Sequence, residues 1–159
     1  MERFQKIIWN KRYKEEYEKL QNLEQGRQFC GHDMNHFLAV ARLCYIFSLE
    51  RNENLSKDII YGTAFLHDLG RTVQYEKGIS HEEAGAELAE IILKECDYEP
   101  EEIKVITEVI RNHRTGASED HSFAEMFYLA DKLSRDCIHC KARKDCYWPD
   151  DKKNDTYIC

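Results

Sequence analysis

Apolar residues recur at intervals of three and four along most of this chain. Phe4, Ile7, Ile8, Tyr13, Tyr17 and Leu20 can share one face of a charge-rich segment, which predicts a single helix from Phe4 to Leu23 that Gly26 ends. A second helix is predicted from about Asp33 to Glu50, with Phe37, Val40, Ala41, Cys44, Tyr45 and Phe47 on its apolar side and His36 beside that stripe. A third starts at Ser56, an N-cap residue, and closes at Gly70, read as a C′ glycine. Arg71 to Ile79 reads as a loop containing Gly78. Ser80-His81-Glu82-Glu83 has capping-box spacing and opens a helix bearing Ala84, Leu88, Ile91 and Ile92. Pro100 with Glu101 and Glu102 marks the next start, because proline suits the first turn and acids suit the positive end of the helix dipole. That helix carries Ile103, Ile106, Val109 and Ile110 and ends near His113. After a loop at Thr115-Gly116-Ala117-Ser118, a last helix runs roughly from Ser122 to Arg135. No strand-like alternation is sustained and no repeat is present, so the expected fold is all-α.

The length, 159 residues, suits one domain with a real core. The expected division is an N-terminal helix over residues 1–26 packing on a helical core at 27–136, followed by a cysteine-rich tail at 137–159. Charged residues make up 33% of the chain and the net charge is −7, which disfavours a nucleic-acid backbone as main partner. Glu82 to Glu102 holds nine acids and one lysine, a solvated acidic face that would repel polyanions. No apolar stretch approaches the ~20 residues of a membrane span, and the N-terminus lacks a secretory layout, so a cytoplasmic location is expected. Seven cysteines in that compartment read as thiols or metal ligands. Cys30, Cys44 and Cys96 fall in helical contexts and read as core or half-buried thiols.

Against this background the polar residues on apolar helices stand out. His36, the pair His67-Asp68, His81, His113 and Asp131 fall in different predicted elements, each near a helix end or an apolar face. Imidazoles and carboxylates are the ligands a divalent transition metal prefers, and helix bundles build such sites from facing helices. Adjacent helical residues point about 100° apart, so His67 can hold one ion while Asp68 leans toward a second. Arg71 and Lys132 are positioned to meet a phosphate. His32 and His121 read as surface residues or as support behind the ligands. No glycine-rich phosphate loop is present.

The ordered set His36 in Asp33-Met34-Asn35-His36, then Leu66-His67-Asp68-Leu69-Gly70-Arg71, then Ala130-Asp131-Lys132 resembles the HD superfamily of metal-dependent phosphohydrolases. Ser80-His81-Glu82-Glu83-Ala84-Gly85-Ala86, Ile110 to Gly116 around His113, and Tyr128 to Lys132 resemble a bacterial branch that includes di-iron enzymes splitting diadenosine tetraphosphate symmetrically. The resemblance implies that His36, His67, Asp68 and Asp131 hold one ion (iron, manganese or another transition metal), that Asp68, His81 and His113 hold a second, and that Asp68 and Arg71 serve catalysis. Arg71 departs from that branch, which usually has lysine there; the charge is kept but the planar fork is different chemistry.

The expected activity is hydrolysis of a phosphate ester or anhydride of a small nucleotide, with a dinucleoside polyphosphate favoured by resemblance alone. A mononuclear nucleotidase and a nucleotide-sensing module without turnover are the rivals, and a redox centre in the tail is a third reading. In that tail Cys137, Cys140, Cys146 and Cys159 have the spacing Cys-x2-Cys-x5-Cys-x12-Cys, which suits a zinc ion or an iron–sulfur cluster as well as free thiols. The resemblance does not extend to it.

Overall fold

The computed structural model describes residues 2–115 and 123–157; Gly116 to Ser122, with His121, and the terminal Cys159 lie outside them. Among the described residues there are eight α-helices: α1 (Phe4–Trp9), α2 (Lys11–Leu23), α3 (Met34–Glu50), α4 (Lys57–Leu66), α5 (Arg71–Lys77), α6 (His81–Glu95), α7 (Pro100–Asn112) and α8 (Phe123–Leu133). No strand occurs among the described residues. One apolar cluster joins α1, α2, α4, α6 and α7 through Ile7, Leu20, Leu66, Ile92, Ile106 and Ile110; a second joins α3, α4 and α8 through Val40, Ile60, Met126 and Phe127. Helix α4 packs against both α3 and α7 and so stands at the centre.

The expected first helix is two. Asn10 adopts an extended conformation, and its side-chain oxygen accepts a hydrogen bond from the Tyr13 amide, so it caps α2 and breaks the run. Bending there lets α1 lie on α4, where Arg3 grips Glu102 through both guanidinium nitrogens and also meets Asp58. Ser56 caps α4 and Pro100 occupies the first turn of α7, both as the sequence predicts, and Asp33 and Glu99 cap α3 and α7. Ser80 precedes α6, but its hydroxyl turns to Glu82 and makes no cap to the backbone.

The largest departures surround His67-Asp68. Helix α4 stops at Leu66, and the doublet lies in a tight turn. Gly70 is not a left-handed C′ residue: its φ is −62°, and it leads directly into α5, which replaces the loop expected at Arg71 to Ile79. Gly78, with φ at +68°, is the left-handed residue that ends α5. What Gly70 provides is close approach. A Cβ there would collide with the His81 carbonyl oxygen and the Gly85 amide nitrogen, and would lie 2.7 Å from Gly85 Cα. The start of α6, carrying His81, is thereby pressed onto the turn carrying Asp68. Gly70→Ala is expected to cost about 1–3 kcal/mol or more, because backbone must give way on both sides. A denaturation midpoint equal to that of the parent chain would contradict this packing argument.

Among the described residues no helix is long and apolar enough to cross a membrane. The tail is folded onto the bundle through two single-turn 3-10 helices, Arg143–Asp145 and Asp150–Lys152. Asn154, buried, donates to the carbonyl oxygens of Leu133 and Arg135, and Arg143 pairs with Asp155 at 2.6 Å.

Candidate metal centre

The turn after α4 places Asp68, only 2% exposed, at the meeting point of α3, α6, α7 and α8. Five imidazoles surround its carboxylate. On the Oδ2 side His67 Nε2 lies at 2.9 Å, His36 Nε2 at 3.7 Å and His32 Nε2 at 3.8 Å. On the Oδ1 side are His81 Nε2 at 3.7 Å, His113 Nε2 at 3.8 Å and Arg71 Nε at 2.6 Å. Asp131, from α8, completes the first side, with Oδ1 at 3.2 Å from His36 Nε2 and 3.8 Å from His67 Nε2.

The donor atoms thus form two sets, each lying within 4.8 Å of one another: His36, His67, Asp68 and Asp131, and Asp68, His81 and His113. Every residue in both sets is buried. Asp68 belongs to both, one oxygen facing each. The six residues singled out in the sequence are all brought together. Arg71 is there too, and Lys132 lies 2.7 Å from Asp131 Oδ2.

Hydrogen bonds on the far side of the rings orient the near side. His67 Nδ1 donates to the Ala64 carbonyl at 2.8 Å and His113 Nδ1 to the Ile110 carbonyl at 2.6 Å. Ser134 donates its hydroxyl to the Asp131 carbonyl, so its oxygen is left to accept from His36 Nδ1 at 3.3 Å. Each of these bonds puts a proton on Nδ1 and turns Nε2 toward Asp68, the nitrogen through which each ring would bind a metal. His67 Nε2 is fully buried with no hydrogen-bond partner of proper geometry. Leaving such an atom unsatisfied costs about 1–3 kcal/mol. A divalent ion satisfies it, and the donor set of imidazoles and carboxylates fits one.

The electrostatics carry the same message. Burial alone would raise the Asp68 pKa, but His67, Arg71 and His32 hold it well below the usual carboxylate range. Asp131 is likewise held low, against burial, by the neighbouring His36 and His67 rings and by Lys132. Burial works to lower the His67 pKa, yet Asp68 and Asp131 prevail and raise it to about 9. His81 is pushed down to about 3 by burial and by Arg71, and burial also lowers His113. Two ionised carboxylates and two uncharged imidazoles are thus ready to act as ligands.

Two further residues stand beside the donor sets, and of the two readings given to His32, support behind the ligands is the one that fits. His32 is 3% exposed, not a surface residue. Its Nδ1 meets Glu24 at 2.5 Å and Nε2 faces Asp68, a carboxylate–imidazole pair aimed at the site. Glu24 is held down to about 2: burial would raise it, but the His32 ring, the His32 amide and the Tyr75 hydroxyl all donate to it. Arg135, just past α8, reaches His36 Nε2 at 3.1 Å and the Gly31 carbonyl at 2.6 Å. The sequence signals were faint: an acid eight residues before a histidine, and an arginine four after Asp131.

A cleft of about 80 Å³ opens onto Asp68 and Asp131. Arg27, Arg71, Lys132 and Arg135 line it, with Phe29, Tyr147 and Trp148 at its side. Four cations at the mouth of a carboxylate site, in a chain of net charge −7, mark it for an anionic ligand.

Comparisons with known proteins bear on the family and the fold. A protein of Clostridium beijerinckii described as an uncharacterized protein is 43% identical over 154 residues, spanning 97% of both chains. Ribonuclease Y 1 of Pediococcus pentosaceus is 27% identical over 101 residues, which is 64% of this chain and 18% of that one. A crystal structure of a predicted HD superfamily hydrolase from an uncultured Thermotogales bacterium superposes with a TM-score of 0.62 at 19% identity, covering 88% of this chain and 80% of the other, a likeness of fold. The sequence pattern of the HD domain matches residues 34–136, from the start of α3 to just beyond α8. That stretch contains all six residues of the two donor sets and most of the chain, and the protein belongs to the HD domain family.

Proposed function

We propose that this protein is a binuclear metal-dependent phosphohydrolase acting on a phosphate ester or anhydride of a small nucleotide. The observation that carries the reading is the division of Asp68, with one oxygen turned to His36, His67 and Asp131 and the other to His81 and His113. When bound, two divalent ions would supply Lewis-acid polarisation of a phosphoryl oxygen and activation of water. The chain's own residues do the rest. Asp68 bridges the two ligand sets. Arg71, tied to Asp68 through Nε, keeps its terminal nitrogens for a phosphate oxygen and offsets charge that builds up there. Lys132, fixed beside Asp131, adds a second cation.

The nucleotide assignment rests on the company these cations keep. Phosphates meet Arg27, Arg71, Lys132 and Arg135, while Phe29, Tyr147 and Trp148 offer faces on which a base can stack. A dinucleoside polyphosphate supplies both features twice over and is the favoured substrate class. The acidic surface favours such a compound over a long RNA strand, even though one relative is a ribonuclease by name. The cytoplasm is the proposed setting, in keeping with the unpaired cysteines.

Chromatography of the nucleotide products, together with phosphate release, from a panel of mononucleotides and dinucleoside polyphosphates with manganese or ferrous iron added tests the assignment. Arg71→Ala is expected to raise KM with a smaller loss in kcat. Saturable nucleotide binding with no hydrolysis product across the panel would make the protein a sensor and end the hydrolase reading.

A further inference from the structure

Four cysteines that no part of the hydrolytic site uses gather around one cavity. Cys137, Cys140 and Cys146, from the folded tail, line it together with Cys30, from the loop before α3. Cys30 is therefore neither helical nor a simple core thiol. Its sulfur lies near enough to the other three for their thiolates to act on it electrostatically. None of the four is in a disulfide. Cys159, which the spacing suggested as the fourth member, lies outside the described residues.

The way the sulfurs are spread decides what they can hold. A zinc ion takes four sulfurs at about 2.3 Å in a tetrahedron, so they sit roughly 3.8 Å apart. Among the described residues the only groups of three or more donors within 4.8 Å of one another are the two histidine–carboxylate sets; no three cysteines meet that condition. The four cysteines instead line a cavity of about 260 Å³. Thiols spread around an open space suit a cofactor with bulk of its own. The cavity wall also carries Arg135, Arg143, Lys141 and Lys153, cations that offset four thiolates, and Phe29 and Trp148, which limit water.

The geometry points to an iron–sulfur cluster bound by Cys30, Cys137, Cys140 and Cys146. The ligands are held from two directions. Arg27 donates to the Cys30 carbonyl at 2.9 Å, and Arg135 holds Gly31 beside it. On the other side Asn154 ties the tail to the end of α8, and Arg143 donates to the Cys137 carbonyl at 3.0 Å. Phe29, Cys30, Arg135, Cys146 and Trp148 line both this cavity and the cleft leading to Asp68. The cluster therefore forms one wall of the hydrolytic cleft, although its binding does not depend on hydrolysis.

The full chain, isolated without oxygen and reconstituted with ferrous iron and sulfide, is expected to be brown and to hold acid-labile sulfide, about four per chain for a cuboidal cluster and about two for a rhombic one. Labile sulfide distinguishes this iron from any at the histidine site, so Asp68→Ala should keep the sulfide. Cys44→Ser, in the core, and Cys159→Ser should keep it as well, while Cys30→Ser and Cys140→Ser lose it. Alkylation mapped by mass spectrometry on the unsubstituted chain guards against a variant that fails to fold: Cys30, Cys137, Cys140 and Cys146 should be shielded until iron is chelated, and Cys159 should not. One zinc per chain with no sulfide would overturn the proposal. So would shielding of Cys159 in place of Cys30.

Discussion

Asp68→Asn is expected to lower phosphate release by at least about 10³-fold, since loss of a single preorganised donor to a transition state already costs about 10²–10³. The substitution keeps the shape and an acceptor for Arg71 Nε, but removes the negative charge that both ligand sets share. Metal content at the histidine site should fall with activity. Asp68→Ala goes further, leaving the largely buried Arg71 guanidinium without a partner; breaking such a buried pair costs about 3–5 kcal/mol, less here because Arg71 keeps some contact with water. The metal-free chain carries a pH signature of the same carboxylate. The His67 pKa, raised to about 9 in the folded chain, contributes stability that is fully present below about 6.5 and is lost as pH rises through about 9. Asp68→Asn should flatten that dependence in denaturation curves recorded with chelator. Unchanged turnover and metal content in Asp68→Asn would remove the bridging role from the mechanism.

The site was legible in the sequence to the extent that each ligand advertises itself locally. His36, Asp68, His113 and Asp131 are polar residues set against apolar helical stretches, and helix assignment alone brings such positions inward. What sequence could not convey depends on contacts between distant segments. His32 turns inward because Glu24 and Arg135 hold its loop, and neither contact has a periodicity to betray it. Cys30 joins the tail cysteines only because the chain beyond α8 folds back, pinned by Asn154. Local misreadings have local causes. Asn10 competes for the backbone with its side chain and divides an otherwise continuous apolar face. The seven residues of α5 are too few to display a period. Gly70 looked like a helix stop because a glycine needed for backbone contact and one needed for positive φ read alike.

His113→Ala separates a binuclear site from a mononuclear one. His81 Nε2 and His113 Nε2 are 3.3 Å apart, both within 3.8 Å of Asp68 Oδ1. His113 carries its proton on Nδ1, bonded to Ile110, so its Nε2 presents a lone pair. Burial disfavours the charged form of both rings. His81 Nδ1 has no hydrogen-bond partner, so one proton on its Nε2 can bridge the two rings when no cation is present. His81, His113 and Asp68 would hold a divalent ion in place of that proton. Removing His113 leaves the second set with two ligands, while His36, His67, Asp68 and Asp131 remain intact for the first. Manganese titrated into metal-free protein should therefore bind at about two per chain in the parent and about one in His113→Ala. Affinity for the ion that remains should change by no more than the roughly 10–100-fold that loss of a neighbouring group brings. Turnover should fall much further than this affinity, because one ion cannot clamp both the attacking and the leaving oxygen. Two manganese ions in both proteins, or one in both, would show that His81 and His113 line the cleft without holding metal, and the mononuclear rival would take the place of the mechanism proposed above.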